Sequence, residues 1–121
     1  MKYGVNTLLW TAAFDHSHFG LLAPIKEAGF DGVEIARFEF AGFPASDVRK
    51  EAEKAGLEPI FLSALTADAS ILTDDSAVRE KSLSFLKDGI RVAAEVLKPR
   101  EAVPERHRVG GAGLEQLAHL I

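Results

Sequence analysis

The feature that most constrains this chain is a helix-to-strand unit that occurs twice. Glu27-Ala28-Gly29-Phe30-Asp31-Gly32-Val33-Glu34-Ile35 ends a charged helix, turns tightly and enters a short apolar strand. Lys54-Ala55-Gly56-Leu57-Glu58-Pro59-Ile60-Phe61-Leu62 repeats it in outline 27 residues on. In both copies an Ala-Gly pair closes the helix, and the Gly takes the left-handed position that a helix C-terminus needs. A repeat of this length suits strands joined by crossover helices, which run parallel. An α/β fold follows.

Read in order, Tyr3 to Leu9 is expected as a first strand, mostly apolar as befits a parallel strand covered on both faces. A loop from Trp10 to His18 leads to a helix over Phe19 to Ala28, in which Pro24 marks either the first turn or a kink. Gly32 to Ala36 is a second strand, whose alternation puts Val33 and Ile35 on one face and Glu34 on the other. The loop Arg37 to Phe43 is aromatic and charged together, which suits either closure over a ligand or contact with a partner.

Ala45 to Ala55 reads as an outer helix resting on the sheet through Val48, Ala52 and Ala55. A third strand is expected over Pro59 to Ala64, then a loop to Asp74. Asp74 or Asp75 is an acidic cap for a long helix from Ser76 to Leu97, weakened at Gly89. After Lys98 the pattern breaks. Arg100 to Arg108 is charged and contains Pro104, a poor central strand. Leu114, Leu117, Ala118 and Ile121 suggest a short terminal helix. Two regions result, 1–98 on pattern and 99–121 off it.

Bulk properties narrow the function. A length of 121 residues suits one domain with a core. A net charge of −4 and a pI near 5.5 argue against a nucleic-acid partner, which clustered Lys and Arg would serve. Without Cys there is no disulfide framework or thiolate metal site. The N-terminus lacks the features of a signal peptide and no stretch is long enough to span a membrane, so a cytoplasmic location is expected.

Several segments resemble the N-terminal half of the xylose-isomerase-like TIM-barrel superfamily: Gly4 to Trp10, Ile25 to Ile35, and Ala64 to Val78 with Val78-Arg79 opening a long helix. Within it the likeness is greatest to ketose 3-epimerases of the tagatose/psicose (allulose) type. It implies a (β/α)8 barrel with its site at the carboxyl ends of the strands. It also implies a divalent metal (Mn, Mg or Co), a ketose substrate, and two glutamates that exchange the proton beside a carbonyl. The family's metal ligands come from later strands, so neither a catalytic residue nor a metal ligand is carried over to this chain.

A complete barrel takes about 250 residues, so the expectation is a truncated, partial barrel of about three βα units. The resemblance places Asn6, Trp10, Glu34, Ser63 and Ala64 around the sugar pocket. Taken by itself, an inward Glu34 is costly unless paired or used, and a structural hydrogen bond is its plainer role. Trp10 is either a wall for a sugar face or ordinary packing. His16 and His18 have the spacing of a metal-binding pair, against the simpler reading of a loop or helix cap. His107, with Arg100, Arg106 and Arg108, reads as solvated, and His119, on the short terminal helix, as a surface or packing residue.

The first functional expectation is thus a sugar isomerase/epimerase-like chain that is inactive alone. The second is a non-enzymatic half-barrel that forms a homo-oligomer through its open edge. The third is a fragment of an endonuclease IV-like phosphodiesterase, disfavoured by the acidic balance.

Overall fold

The computed structural model describes residues 1–97. The off-pattern tail, with His107, His119 and the three arginines, lies outside the described residues.

Three strands, β1 (Gly4–Asn6), β2 (Gly32–Ala36) and β3 (Glu58–Leu62), form one parallel sheet in the order β1-β2-β3. Helices α1 (Leu22–Glu27), α2 (Ala45–Ala55) and α3 (Ser76–Val96) follow the strands in turn. This is the expected run of three βα units, and among the described residues the sheet is not closed.

The alternation in β2 decides which way the sheet faces. Val33 and Ile35 are fully buried and join Phe14, Leu22, Ile25, Val48 and Val96 in one core. Glu34 must then lie on the opposite face. Register puts Asn6 and Ile60 beside it. Ile60 is 50% exposed, because no further layer covers that face among the described residues.

The repeated Ala-Gly ends behave as the pattern requires. Gly29 has φ +94° and Gly56 has φ +75°, both in the left-handed region. Asp75 caps α3, its carboxylate accepting from the amides of Ala77 and Val78 at 2.9 and 3.1 Å. Pro24 is the third residue of α1, where the missing N–H is one that a helix start leaves unpaired anyway.

The first strand is shorter than its apolar run suggests. It stops at Asn6, and Thr7–Leu9 coils into a 3-10 turn because the Asn6 side chain accepts from the Leu8 amide at 2.8 Å. A second 3-10 stretch, His16–Leu21, precedes α1 and replaces the first part of the expected helix. Asp15 starts it with a reciprocal cap in which its carboxylate accepts from Ser17 and the His18 ring meets the Asp15 amide. The third strand begins one residue earlier than expected, at Glu58, and ends at Leu62.

β3 has a definite outer edge. The amide of Glu58 donates to Asp31 and the carbonyl of Leu62 accepts from Arg37, so its even-numbered residues bond to β2. In a parallel strand the alternate residues then face outward. Those are Pro59 and Phe61, and Pro59 has no N–H to offer.

Candidate functional site

All three strands release their chains at the same end, so the segments after β1, β2 and β3 gather there. Two of them are tied directly, since Ala13 and Arg37 form an antiparallel bridge. Arg37 is itself held in place. Its Nε donates to the Glu39 carbonyl at 2.5 Å, and its guanidinium lies 5.7 Å from the centre of the Phe43 ring. A cavity of about 280 Å3 opens here, lined by Ala12, Ala13, Arg37, Phe38 and Glu39.

On the face of the sheet away from the helices, Asn6 and Glu34 meet. The Asn6 amide nitrogen donates to Glu34 Oε2, and the pairing of Asn6 with Glu34 in the parallel register puts them side by side. Both readings of Glu34 offered by the sequence remain compatible with this contact. One carboxylate oxygen is engaged, and Oε1 has no partner among the described residues. Trp10 follows the 3-10 turn and is 49% exposed.

Ser63 and Ala64 are placed elsewhere. They line a groove of about 180 Å3 between β3 and α3, together with Phe61, Phe85 and Ile90. The Ser63 hydroxyl is buried there without a hydrogen-bond partner among the described residues. Of the five residues the sequence singled out, Asn6 and Glu34 touch, Trp10 stands at the end of the same turn, and the other two belong to this apolar groove.

The aromatic loop after β2 is anchored through two of its rings. Phe40 stacks on Phe85 at 4.7 Å and lies 6.1 Å from Phe61, while Phe43 is 5.8 Å from Phe61. Only Phe38 of the three phenylalanines in this loop lines the cavity at the strand ends. Gly89, which propensity marks as a weak spot, is where Phe40 sits. A Cβ at Gly89 would stand 3.0 Å from the Phe40 ring.

The two loop histidines pair with carboxylates. His18 Nδ1 lies 3.0 Å from Asp15 and His16 Nε2 lies 3.0 Å from Asp47 on α2. The Asp15 carboxyl is held below its ordinary pKa, chiefly by the Ser17 hydroxyl and amide. Asp47 is lowered chiefly by its hydrogen bond to His16. Among the described residues no group of three or more His, Cys, Asp or Glu side chains is placed to hold a metal ion. Nor is any described helix long and apolar enough to cross a membrane.

Sequence reasoning did not find Thr7 or Ser82. Thr7 is fully buried and its hydroxyl accepts from the Ala36 amide at 2.9 Å. Ser82 is also buried, accepting from the Ser70 amide and donating to the Val78 carbonyl, so it ties the loop after β3 to α3. The available signals were a small hydroxyl residue in an apolar run for Thr7, and for Ser82 a place four residues from both Val78 and Leu86 on one face of α3.

Comparison with known proteins agrees with this architecture. A probable ketose 3-epimerase from Synechocystis sp. is 28% identical over 110 residues, which are 91% of this chain and 38% of that protein. The solved structure of an L-ribulose 3-epimerase superposes with a TM-score of 0.70 at 26% identity, over 79% of this chain and 33% of that one. A D-psicose 3-epimerase solved in the presence of D-fructose gives 0.63 at 16% identity, over 88% and 43%, a likeness of fold alone. The chain thus spans well under half the length of each of these relatives. The family model for the xylose isomerase-like TIM barrel matches residues 22–119, most of the chain, and its parallel strands with a helix after each are found here in the described part. This chain therefore belongs to the xylose isomerase-like TIM barrel family.

Proposed function

We propose that this chain forms the first strands and part of the sugar pocket of a ketose 3-epimerase-type enzyme, and that it is inactive without the remaining strands. The observation that carries the reading is the inward pair Asn6 and Glu34, at the site end of a sheet whose relatives include ketose 3-epimerases. Epimerisation beside a carbonyl removes and returns a proton that is only weakly acidic. A divalent cation supplies the polarisation such a step needs. Among the described residues no cluster of side chains fits that cation. The part of this chain is to shape and orient: Glu34 accepts from a sugar hydroxyl, and Trp10 offers an apolar wall to a ring face. Ser63 and Ala64, just past β3, line the separate groove against α3 and take no part in holding the sugar on this reading. The protein works in the cytoplasm on this reading.

A second reading is favoured by the outward edge of β3. Among the described residues Phe61 presents an unpaired backbone edge beside the half-exposed Ile60 and the apolar groove, a combination that proteins cover. Self-association through this edge accounts for it without catalysis.

One experiment separates the two readings. The purified 121-residue chain is assayed for epimerisation of D-fructose and D-tagatose with Mn, Mg or Co while its mass is followed by light scattering. Residues 1–97 are also grafted in place of the matching segment of the Synechocystis relative. The expected result is no turnover by the chain alone and turnover by the hybrid, reduced by Glu34→Ala. An inactive but well-folded hybrid sinks the epimerase reading, and a monodisperse monomer sinks the second.

A further inference from the structure

Asn6 sits where two demands meet. Its side-chain oxygen accepts from the Leu8 amide at 2.8 Å, which starts the 3-10 turn Thr7–Leu9. That assignment leaves the amide nitrogen as the group that faces β2, and it donates to Glu34 Oε2. The turn is then closed by the Thr7 carbonyl, which accepts from the amides of both Trp10 and Thr11 at 2.9 Å. One planar amide therefore links the Glu34 carboxylate to the backbone that carries Trp10. An amide suits the position because it must donate on one side and accept on the other.

We infer that Asn6 is a positioning residue whose side chain sets Glu34 and Trp10 as a single unit, rather than a group that contacts sugar itself. Its carbonyl oxygen is committed to the turn and its nitrogen to the carboxylate. The inference rests on the sugar-pocket reading only in treating Glu34 and Trp10 as pocket walls. The linkage itself is measured without sugar, so either idea can fail while the other stands.

Trp10 is the sole tryptophan, so its emission reports on the turn directly. Asn6→Asp keeps an oxygen for the Leu8 amide, since Asp caps as well as Asn. It turns the second oxygen against the Glu34 carboxylate, and the repulsion draws the side chain off the turn. Glu34→Gln leaves an oxygen to accept from Asn6. The double variant Asn6→Asp/Glu34→Gln restores the hydrogen bond with its polarity reversed, because the new Gln donates to the new Asp.

The expected result in the full chain is a red-shifted Trp10 emission with greater acrylamide quenching for N6D. Wild-type behaviour is expected for E34Q, and a return towards it for the double variant. Chemical denaturation of the four proteins should give a coupling of roughly ten-fold in the folding equilibrium, as for one hydrogen bond to a charged group. A cap acting on its own predicts no change of Trp10 in N6D and no rescue, and either outcome overturns the inference. If N6D does not fold, the double variant decides: a folded protein with native emission supports the linkage, and one that is unfolded or red-shifted overturns it.

Discussion

The hydroxyl of Thr7 accepts the amide hydrogen of Ala36 at 2.9 Å, one residue beyond the end of β1. The side chain thus takes over from the backbone at the point where the first strand coils away. Without it the Ala36 amide, in a fully buried residue, would have no acceptor. Thr7→Val keeps the shape and removes the oxygen. The expected cost is about 1–3 kcal/mol, the penalty for a buried donor left unsatisfied. Urea denaturation of the two proteins measures it, and an unchanged midpoint would show that another acceptor replaces the hydroxyl.

Acid should loosen the loop around α1 before it unfolds the sheet. The Asp15 carboxyl is lowered from 3.8, chiefly by the Ser17 hydroxyl at 2.6 Å, and Asp47 is lowered from the same value by His16. A carboxyl whose folded pKa is depressed contributes stability that is present above its unfolded value and lost as pH falls through the folded one. The loss attributable to these two groups should therefore begin near pH 3.8 and grow below it. Asp15→Asn keeps a capping oxygen but removes the charge. It should flatten the acid limb of a melting-temperature profile and leave the neutral region nearly unchanged. An acid limb equally steep in D15N would assign the loss to other groups.

How much the sequence discloses depends on where the signal is stored. The bounds of β2 and α2 are legible because strict alternation around Glu34 and the Ala-Gly closure at Gly56 are backbone requirements written in residue type. The juxtaposition of Asn6 with Glu34 follows once parallel register is known, although neither residue names the other in the sequence. Thr7-Leu8-Leu9 reads as strand by hydropathy and coils instead, because a single Asn side chain competes for the local amide. The rings of Phe40 and Phe43 belong to no periodic element, so only the fold could say that Phe40 stacks on Phe85 of α3 and that Phe43 packs beside Phe61 of β3. Ser63 illustrates the same limit: its place at the end of a strand was legible, its burial in an apolar groove was not.

Gly89 and Phe40 should prove energetically coupled. In the interior of α3, alanine is favoured over glycine by about 1 kcal/mol. Yet a Cβ there would approach the Phe40 ring to 3.0 Å, tighter than ordinary van der Waals contact, and the ring stacks on Phe85 beyond it. Gly89→Ala should therefore stabilise the chain clearly only in a Phe40→Ala background. With Phe40 in place the ring must retreat, and the gain should shrink or reverse. Thermal melts of the wild type, both single variants and the double variant form the test, because residues in contact depart from additivity while independent ones do not. Equal gains in the two backgrounds would mean that the ring moves aside freely, and that the loop after β2 is held by Phe43 and Arg37 rather than by Phe40.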